Sequence, residues 1–496
     1  MGVTRFLIDP VQALDDWPEV HRAYISGSDQ SVCATRIELE GNILVCRRQT
    51  SESGRLHVAW PVAGFGRPIV STSCLPEREE PYLLPVELAR GKIVQVRNQW
   101  AAWQGLGMTI PAALGPLNSE AHRFFAKAAS SQQQPTQACN HAVQALQLAF
   151  ATAEGLAIAY TEQSLAGRRR QYPQLPTSLG CGLSNSVPEG AQRQWFLEAF
   201  NSAAVPLEWR FIEPVEGDYH WDMLDEQVDW CLDNRLVLRG GPLVDLSPDG
   251  LPGWLWQWEH DYWNLQSFVC DFVETVLARY SGKIRIWELA SRVNSGGALA
   301  LNEEHRLTLA AKILDVARQV DAEAQLLLRV DQPWGEYQSR GQHKLSPLHF
   351  ADALVRSNLG LSGISLEIAV GYRPRGTASR DMLDFSRLID LWSSLGLPLH
   401  IVLAFPSETT LDPQAGADLE VEDRTWKTPI SEAAQAAWVD TYVPLLLAKP
   451  SVVSTFWANF SDGQPHHFPH AGLVRPDGIL KAAHARICRQ RSAYLK

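Results

Sequence analysis

The spacing of hydrophobic positions changes period twice along this chain. Residues 1–80 alternate apolar and polar positions in short runs, RFLID, TRIELEG, ILVCRR, LHVAWPV and RPIVSTS, cut by Gly, Ser and Asp turns. Such alternation predicts half-buried strands and a small β domain, with a sandwich as one arrangement. From Pro81 the spacing becomes helical, in PVELARGKIVQVRNQWAAW and, after the polar linker SSQQQPTQ, in HAVQALQLAFATAEGLAIAYTEQSLAGRRR. Residues 81–177 are therefore expected to form a helical bridge between two units.

Beyond QYPQLPTSLG, strand-like and helix-like stretches alternate to the end. Eight short apolar runs stand out: SLGCGL (178–183), AAVPLEW (203–209), RLVLRGGPLV (235–244), IRIWELA (284–290), QLLLRVD (325–331), GISLEIAV (363–370), LHIVLAF (399–405) and VVSTFWANF (452–460). Amphipathic segments such as WDMLDEQVDWCLDN and EEHRLTLAAKILDVARQV separate them. Eight β/α units predict an α/β fold, a (β/α)8 TIM barrel over residues 178–496. An open doubly wound sheet is the alternative, but it has fewer strands and a Gly-rich first turn, and neither GxGxxG nor a P-loop pattern is present. In a barrel the active site lies at the C-terminal strand ends. Those ends carry Glu208, Asp245, Glu288 to Asn294, Asp331, Glu367 and Ser407.

Composition narrows the classes of function. The chain has 496 residues, 45% hydrophobic and 20% charged, with a net charge of −11. That balance argues against a nucleic-acid partner, which needs a basic face. The one dense basic cluster, GRRRQ at 167–171, reads as a solvated helix end. The start MGVTRFLIDPVQ lacks the apolar run of a signal peptide, and no stretch is expected to span a membrane. Eight cysteines without a Cys-x-x-Cys pair, among them Cys46, Cys181, Cys231 and Cys270 in apolar surroundings, read as small buried hydrophobes. The expectation is a cytoplasmic protein without cofactor or metal, its oligomeric state left open.

Four segments, in order, resemble the glycoside hydrolase family 10 barrels, whose familiar members are endo-xylanases. WRFIEPVEGDYHWDMLDEQVDWCLDNRLVLRGGPLV (Trp209 to Val244) resembles that family's stretch from strand two to strand three. LSGISLEIAVGYRPRG resembles its strand-six segment, LWSSLGLPLHIVLAF its strand-seven segment, and AGLVRPDGILKAAH its close. The resemblance implies a barrel that acts on or binds a polysaccharide or oligosaccharide at its C-terminal mouth. It also places Arg292 at the family's acid/base position and Leu403 at its nucleophile position. Gly241, Ala369 and Glu208 fall where the family has the strand-three His, the strand-six His and the strand-two Lys. Retaining hydrolysis needs a carboxylic acid and a carboxylate across the bond. Arg stays charged and Leu has no proton to move, so the implied mechanism is missing its two groups.

Other carboxylates crowd the predicted mouth. Asp331 and Glu367 end neighbouring strands and are the candidate relocated catalytic pair. Glu208, Asp245, Glu288, Arg292 and Glu336 are candidate substrate contacts, and Trp254, Trp334 and Trp457 are candidate sugar platforms. The competing reading has these acids neutralise Arg239, Arg292 and Arg329 within an ion-paired interior. HHFPH (His466, His467, His470) is expected to be a solvent-exposed loop, since no acid lies at ligand spacing beside it. Ser407 has no evident His–Asp partner. Three functions remain: a divergent carbohydrate-active enzyme, a non-catalytic glycan-binding barrel, and a scaffold.

Overall fold

The computed structural model describes residues 2–9, 17–341, 343–416, 418–423 and 426–495. At the N-terminal end lie two four-stranded sheets. One orders Thr35–Glu40, Ile43–Arg48, Gly2–Leu7 and Tyr82–Leu83; the other orders Val32–Cys33, Tyr24–Ser26, Arg55–Ala59 and Ile69–Ser71. Their apolar faces meet in one core, where Phe6, Leu44 and Cys46 from the first join Ile25, Leu56 and Val58 from the second. Three helices follow, α1 (Leu84–Gly105), α2 (Leu114–Ser130) and α3 (Pro135–Gln171). Helix α3 alone among the described helices is long and apolar enough to cross a membrane, contrary to the reading that no stretch approaches a span. Its most apolar window is 56% buried inside the protein, which is how a core helix passes the same test. Leu146 and Phe150 pack toward the N-terminal sheets, and Leu156 and Leu165 join the core of the barrel.

All eight predicted barrel strands form. They are β1 (Ser178–Gly182), β2 (Ser202–Val205), β3 (Val237–Gly240), β4 (Ile286–Ser291), β5 (Gln325–Asp331), β6 (Leu361–Ala369), β7 (Leu399–Ala404) and β8 (Val452–Trp457). Every neighbouring pair is parallel, and pairing of β3 with β4 and of β8 with β1 closes the ring. Strand β3 breaks after Gly240 and resumes as Val244–Asp245, which pairs with Ala290 and Ser291. Pro242 removes a ladder donor at the break. At Gly241 the backbone has φ +112, and a Cβ there would lie 2.1 Å from the Glu288 carbonyl oxygen, so only glycine fits.

The period-two alternation of the strands sorts residues between the two faces of the barrel wall. Leu326, Leu328 and Val330 of β5, Leu366 and Ile368 of β6, and Ile401 and Leu403 of β7 face the helices in the main core. Inside the barrel, Val402 meets Ala204 and Phe456, and His400 contacts the Ser454 hydroxyl at 2.7 Å. Leu403 therefore does not face the mouth, and the residues that β7 turns inward are His400, Val402 and Ala404. The strand brings no carboxylate to the mouth.

The N-terminal sheets rest on the rim of the barrel. Arg22 pairs with Glu422 at 2.6 Å, Ile69 N–H donates to the Ser379 carbonyl at 2.9 Å, and Lys92 of α1 pairs with Asp381. Arg380 is buried between the units, donating to the Tyr24 hydroxyl at 2.9 Å and pairing with Glu336.

Candidate functional site

The mouth of the barrel is a cavity of about 140 Å³. Its walls include Glu208, Arg239, Asp245, Arg292, Arg329, Glu367, Trp457, Asn459 and His467. Glu288 lies beneath it and is fully buried. The Arg329 guanidinium grips the Glu288 carboxylate through both Nε (2.9 Å) and Nη2, and its Nη1 donates to Glu367 at 3.2 Å. Arg239 approaches Glu288 to 3.9 Å from the other side while stacking over the Phe456 ring at 3.8 Å. Burial works against ionisation of Glu288, but Arg239 and Arg329 outweigh it and hold the carboxyl at about 2.

Strand β4 delivers Arg292 by an irregular route. Its register with β5 shifts between Glu288 and Ala290, and both Glu288 and Arg292 still turn into the barrel. Arg292 then takes a left-handed backbone, φ +58, and is 2% exposed. Its Nη2 donates to His467 Nε2 at 2.6 Å and lies 3.5 Å from Glu367; its Nε is 3.8 Å from Asp245. Burial and the Arg292 charge push His467 well below its ordinary value, so the ring is a neutral acceptor. Burial pushes the Glu367 carboxyl up despite the two arginines. Asp245 resists the same burial because Arg292 and the Ser247 N–H, at 3.0 Å, favour its charged form, and its carboxyl is lowered. Glu208 precedes the short helix Trp209–Ile212 without a side-chain cap bond, pairs with Arg210 at 3.0 Å, and is pushed up by burial.

Several expected contacts lie elsewhere. Asp331 and Glu367 are in-register neighbours on β5 and β6, but only Glu367 lines the mouth. Asp331 accepts from Ser295 Oγ at 2.7 Å, and Asn294 clamps its backbone, while its charge is still felt by Glu367. Trp254 lies on the 3-10 helix Gly253–Trp258, edge-on to Trp209 and Phe268, with its indole N–H on the Glu213 carbonyl at 3.0 Å. It is a packing residue. Trp334 sits under Arg380 and against Phe385, outside the mouth. Glu336 belongs instead to a larger cleft of about 740 Å³ between the N-terminal sheets and the ends of β4 to β6, shared with Tyr24, Arg22 and Arg375. Trp457 borders the mouth, but its side chain is 2% exposed and lies in the main core edge-on to Trp438, with its indole N–H donating to the Ala471 carbonyl at 2.7 Å, so it offers no open ring face.

HHFPH is not a solvent-exposed loop. His466 has a side chain 1% exposed, and its Nε2 lies 3.0 Å from Asp412. Asp412, Asp462 and His466 bring their ligand atoms within 4.8 Å of one another, a grouping of the kind that could hold a metal. Both acids are already occupied, however. Asp412 accepts from the His470 and Gln414 N–H groups, and Asp462 from the Gly472 N–H and the Lys481 ammonium. Lys481 also reaches Ser407 at 2.8 Å, whose hydroxyl donates to the His470 carbonyl at 3.0 Å. The cluster clamps the loop that carries His467 to the mouth. Asp462 stands four residues before His466, a local spacing that pointed to the pair, whereas Asp412 lies about 50 residues away and left no local sign.

Residues 178–327 match the model of Glycosyl hydrolase family 10. The barrel is a divergent, family-10-like one. Endo-1,4-beta-xylanase B of Thermotoga neapolitana is 22% identical over 199 residues, covering 39% of this chain and 54% of that enzyme. Endo-1,4-beta-xylanase 3 of Hypocrea jecorina is 28% identical over 127 residues, 25% of this chain and 35% of that one. The chain thus spans about half the length of the first curated relative, and less of the second. Native xylanase 10B from Thermotoga maritima superimposes with a TM-score of 0.49 at 16% identity, covering 65% of this chain and 98% of that one. In a (β/α)8 barrel the C-terminal mouth is the place where chemistry or binding occurs.

Proposed function

We propose that the mouth of the family-10-like barrel binds a saccharide chain without performing the two-carboxylate hydrolysis that the resemblance implies. One observation carries this reading. The carboxylates at the mouth are tied to arginines, Glu288 to Arg329 and Arg239, Glu367 to Arg329 and Arg292, Asp245 to Arg292, and Glu208 to Arg210. Strand β7, where the family's nucleophile position falls, contributes only His400, Val402 and Ala404. A carboxylate gripped by both edges of a guanidinium, as Glu288 is by Arg329, is a poor nucleophile and a poor proton donor, and the looser pairs hold Glu367 and Asp245 beside positive charge. Charged planar groups and a buried amide around a small cavity are, by contrast, suited to sugar hydroxyls.

The relatives are endo-1,4-beta-xylanases, so β-1,4-linked xylo- and gluco-oligosaccharides are the first ligands to test. Calorimetric titration should register binding, and an assay for reducing ends should register no release. Release that disappears in Asp331→Asn or Glu367→Gln would overturn the proposal in favour of a relocated catalytic pair. A second enzymatic reading rests on Glu208 and Asp245. They line one cavity with carboxyls displaced in opposite directions, the pattern by which an acid is separated from a base. Release lost in Glu208→Gln and in Asp245→Asn, but kept in Asp331→Asn, would select that reading.

A further inference from the structure

We infer that the sugar seated in the mouth carries a carboxylate, as a hexuronate does, and that this carboxylate lies against Arg292 and Arg239. The inference rests on the proposal that the mouth binds saccharide. It starts from donors with nothing to donate to. Arg292 Nη1 and Arg239 Nη1 and Nε are buried and have no hydrogen-bond partner within the protein, and both side chains line the same cavity. Each guanidinium is 2% exposed. A buried donor left unmade costs roughly 1–3 kcal/mol, more when it is charged. Arg292 bears a further cost in its left-handed backbone, which an unbranched residue at a functional turn tolerates only when its surroundings hold it there.

The neighbouring acids do not use up these donors. Asp245 stands 3.8 Å from Arg292 Nε, beyond hydrogen-bond distance, and Glu367 stands 3.5 Å from Nη2, not from Nη1. Glu288 spends both oxygens on Arg329 and stays 3.9 Å from Arg239. Glu208, the remaining carboxylate in the wall, is paired outward with Arg210. His467 is neutral and faces Arg292 as an acceptor. Burial raises the Glu367 carboxyl, which lessens the negative charge an incoming anion would meet.

Size and polarity define the rest of the ligand. About 140 Å³ is well below the ~300 Å³ at which pockets for larger ligands begin, so one ring fits and a chain does not lie wholly inside. Asn459 Oδ1 is a buried acceptor without a partner in the same wall and suits a ring hydroxyl. Two guanidinium edges and an acceptor around one ring favour an acidic sugar over a neutral one, since bidentate contact to a carboxylate is what the guanidinium geometry matches.

The test compares glucuronic acid, its methyl ester and glucose on the full chain by calorimetric titration or ligand-observed NMR. The ester keeps the ring and removes the charge while adding one methyl group. Glucuronate should bind about tenfold or more tightly than the ester, in line with the strength of charge-assisted hydrogen bonds. Arg292→Lys, which keeps the charge but loses the fork, should shrink that preference for acid over ester several-fold. If that variant does not fold, the comparison of acid and ester on the wild-type protein still decides. Equal affinity for acid and ester would overturn the inference and leave saccharide binding intact. Binding of none of these sugars and of no neutral oligosaccharide would remove both readings together.

Discussion

At the scale of single residues, the strongest claim concerns Glu288. Its carboxyl is held at about 2 against an ordinary value of 4.5, a difference worth roughly 3 kcal/mol of folding stability for a fully buried group. The sign follows from the depression: the contribution is complete above pH 4.5 and fades as pH falls toward 2. Glu367 is displaced upward and acts in the opposite sense, so the comparison must isolate one group. Glu288→Gln should therefore cost several kcal/mol at pH 7 and lose less further stability than wild type between pH 4.5 and 2. Denaturant titrations at a series of pH values would show it; parallel pH profiles would mean the arginines do not hold this carboxylate. An inward, ion-paired Glu288 was legible from strand alternation. Arg239, Arg292 and Arg329 were legible as partners of the mouth acids as a group, but which arginine meets which acid was not, because the register shift after Glu288 and the left-handed Arg292 are local backbone events that no residue spacing encodes.

At the scale of elements, the eight strands were legible because each is a short apolar run between turn residues, and parallel strands buried on both faces read that way. What the runs conceal is which side chain turns inward. Leu403 illustrates the difficulty: LHIVLAF is apolar on both parities, so only the assembled barrel shows Val402 inside and Leu403 among the helices. The tryptophans divide for a similar reason. An indole that stacks on sugar and one that packs a helix have the same sequence signature, and the 3-10 helix Gly253–Trp258 turns Trp254 onto Trp209 and Phe268. Trp254→Ala should cost about 3 kcal/mol, by cavity formation and loss of the indole hydrogen bond. Saccharide affinity, measured below the melting temperature, should be unchanged. A loss of affinity with stability preserved would return Trp254 to the binding surface.

At the scale of the whole molecule, the question is whether the N-terminal sheets and the barrel unfold as one body. A change of hydrophobic period near residue 81 made two differently built parts legible, but not how they meet. The contact depends on side chains some 290 to 360 residues apart, such as Lys92 with Asp381 and Arg380 with Tyr24. Arg380 is the hub. It is buried, pairs with Glu336 and Asp384, and donates to Tyr24, whose hydroxyl burial pushes to about 12. Removing one member of such a buried set leaves the others charged and unpaired, which costs about 3–5 kcal/mol. That cost falls on the junction, because Glu336 and Asp384 belong to the barrel and Tyr24 to the sheets. Arg380→Met should therefore lower the melting temperature of the less stable part and split a single calorimetric transition into two. Lys92→Met, at an independent contact of α1 with the barrel, should act in the same direction. A single transition at an unchanged temperature in both variants would mean that the shared core along α3, rather than these ion pairs, joins the two parts.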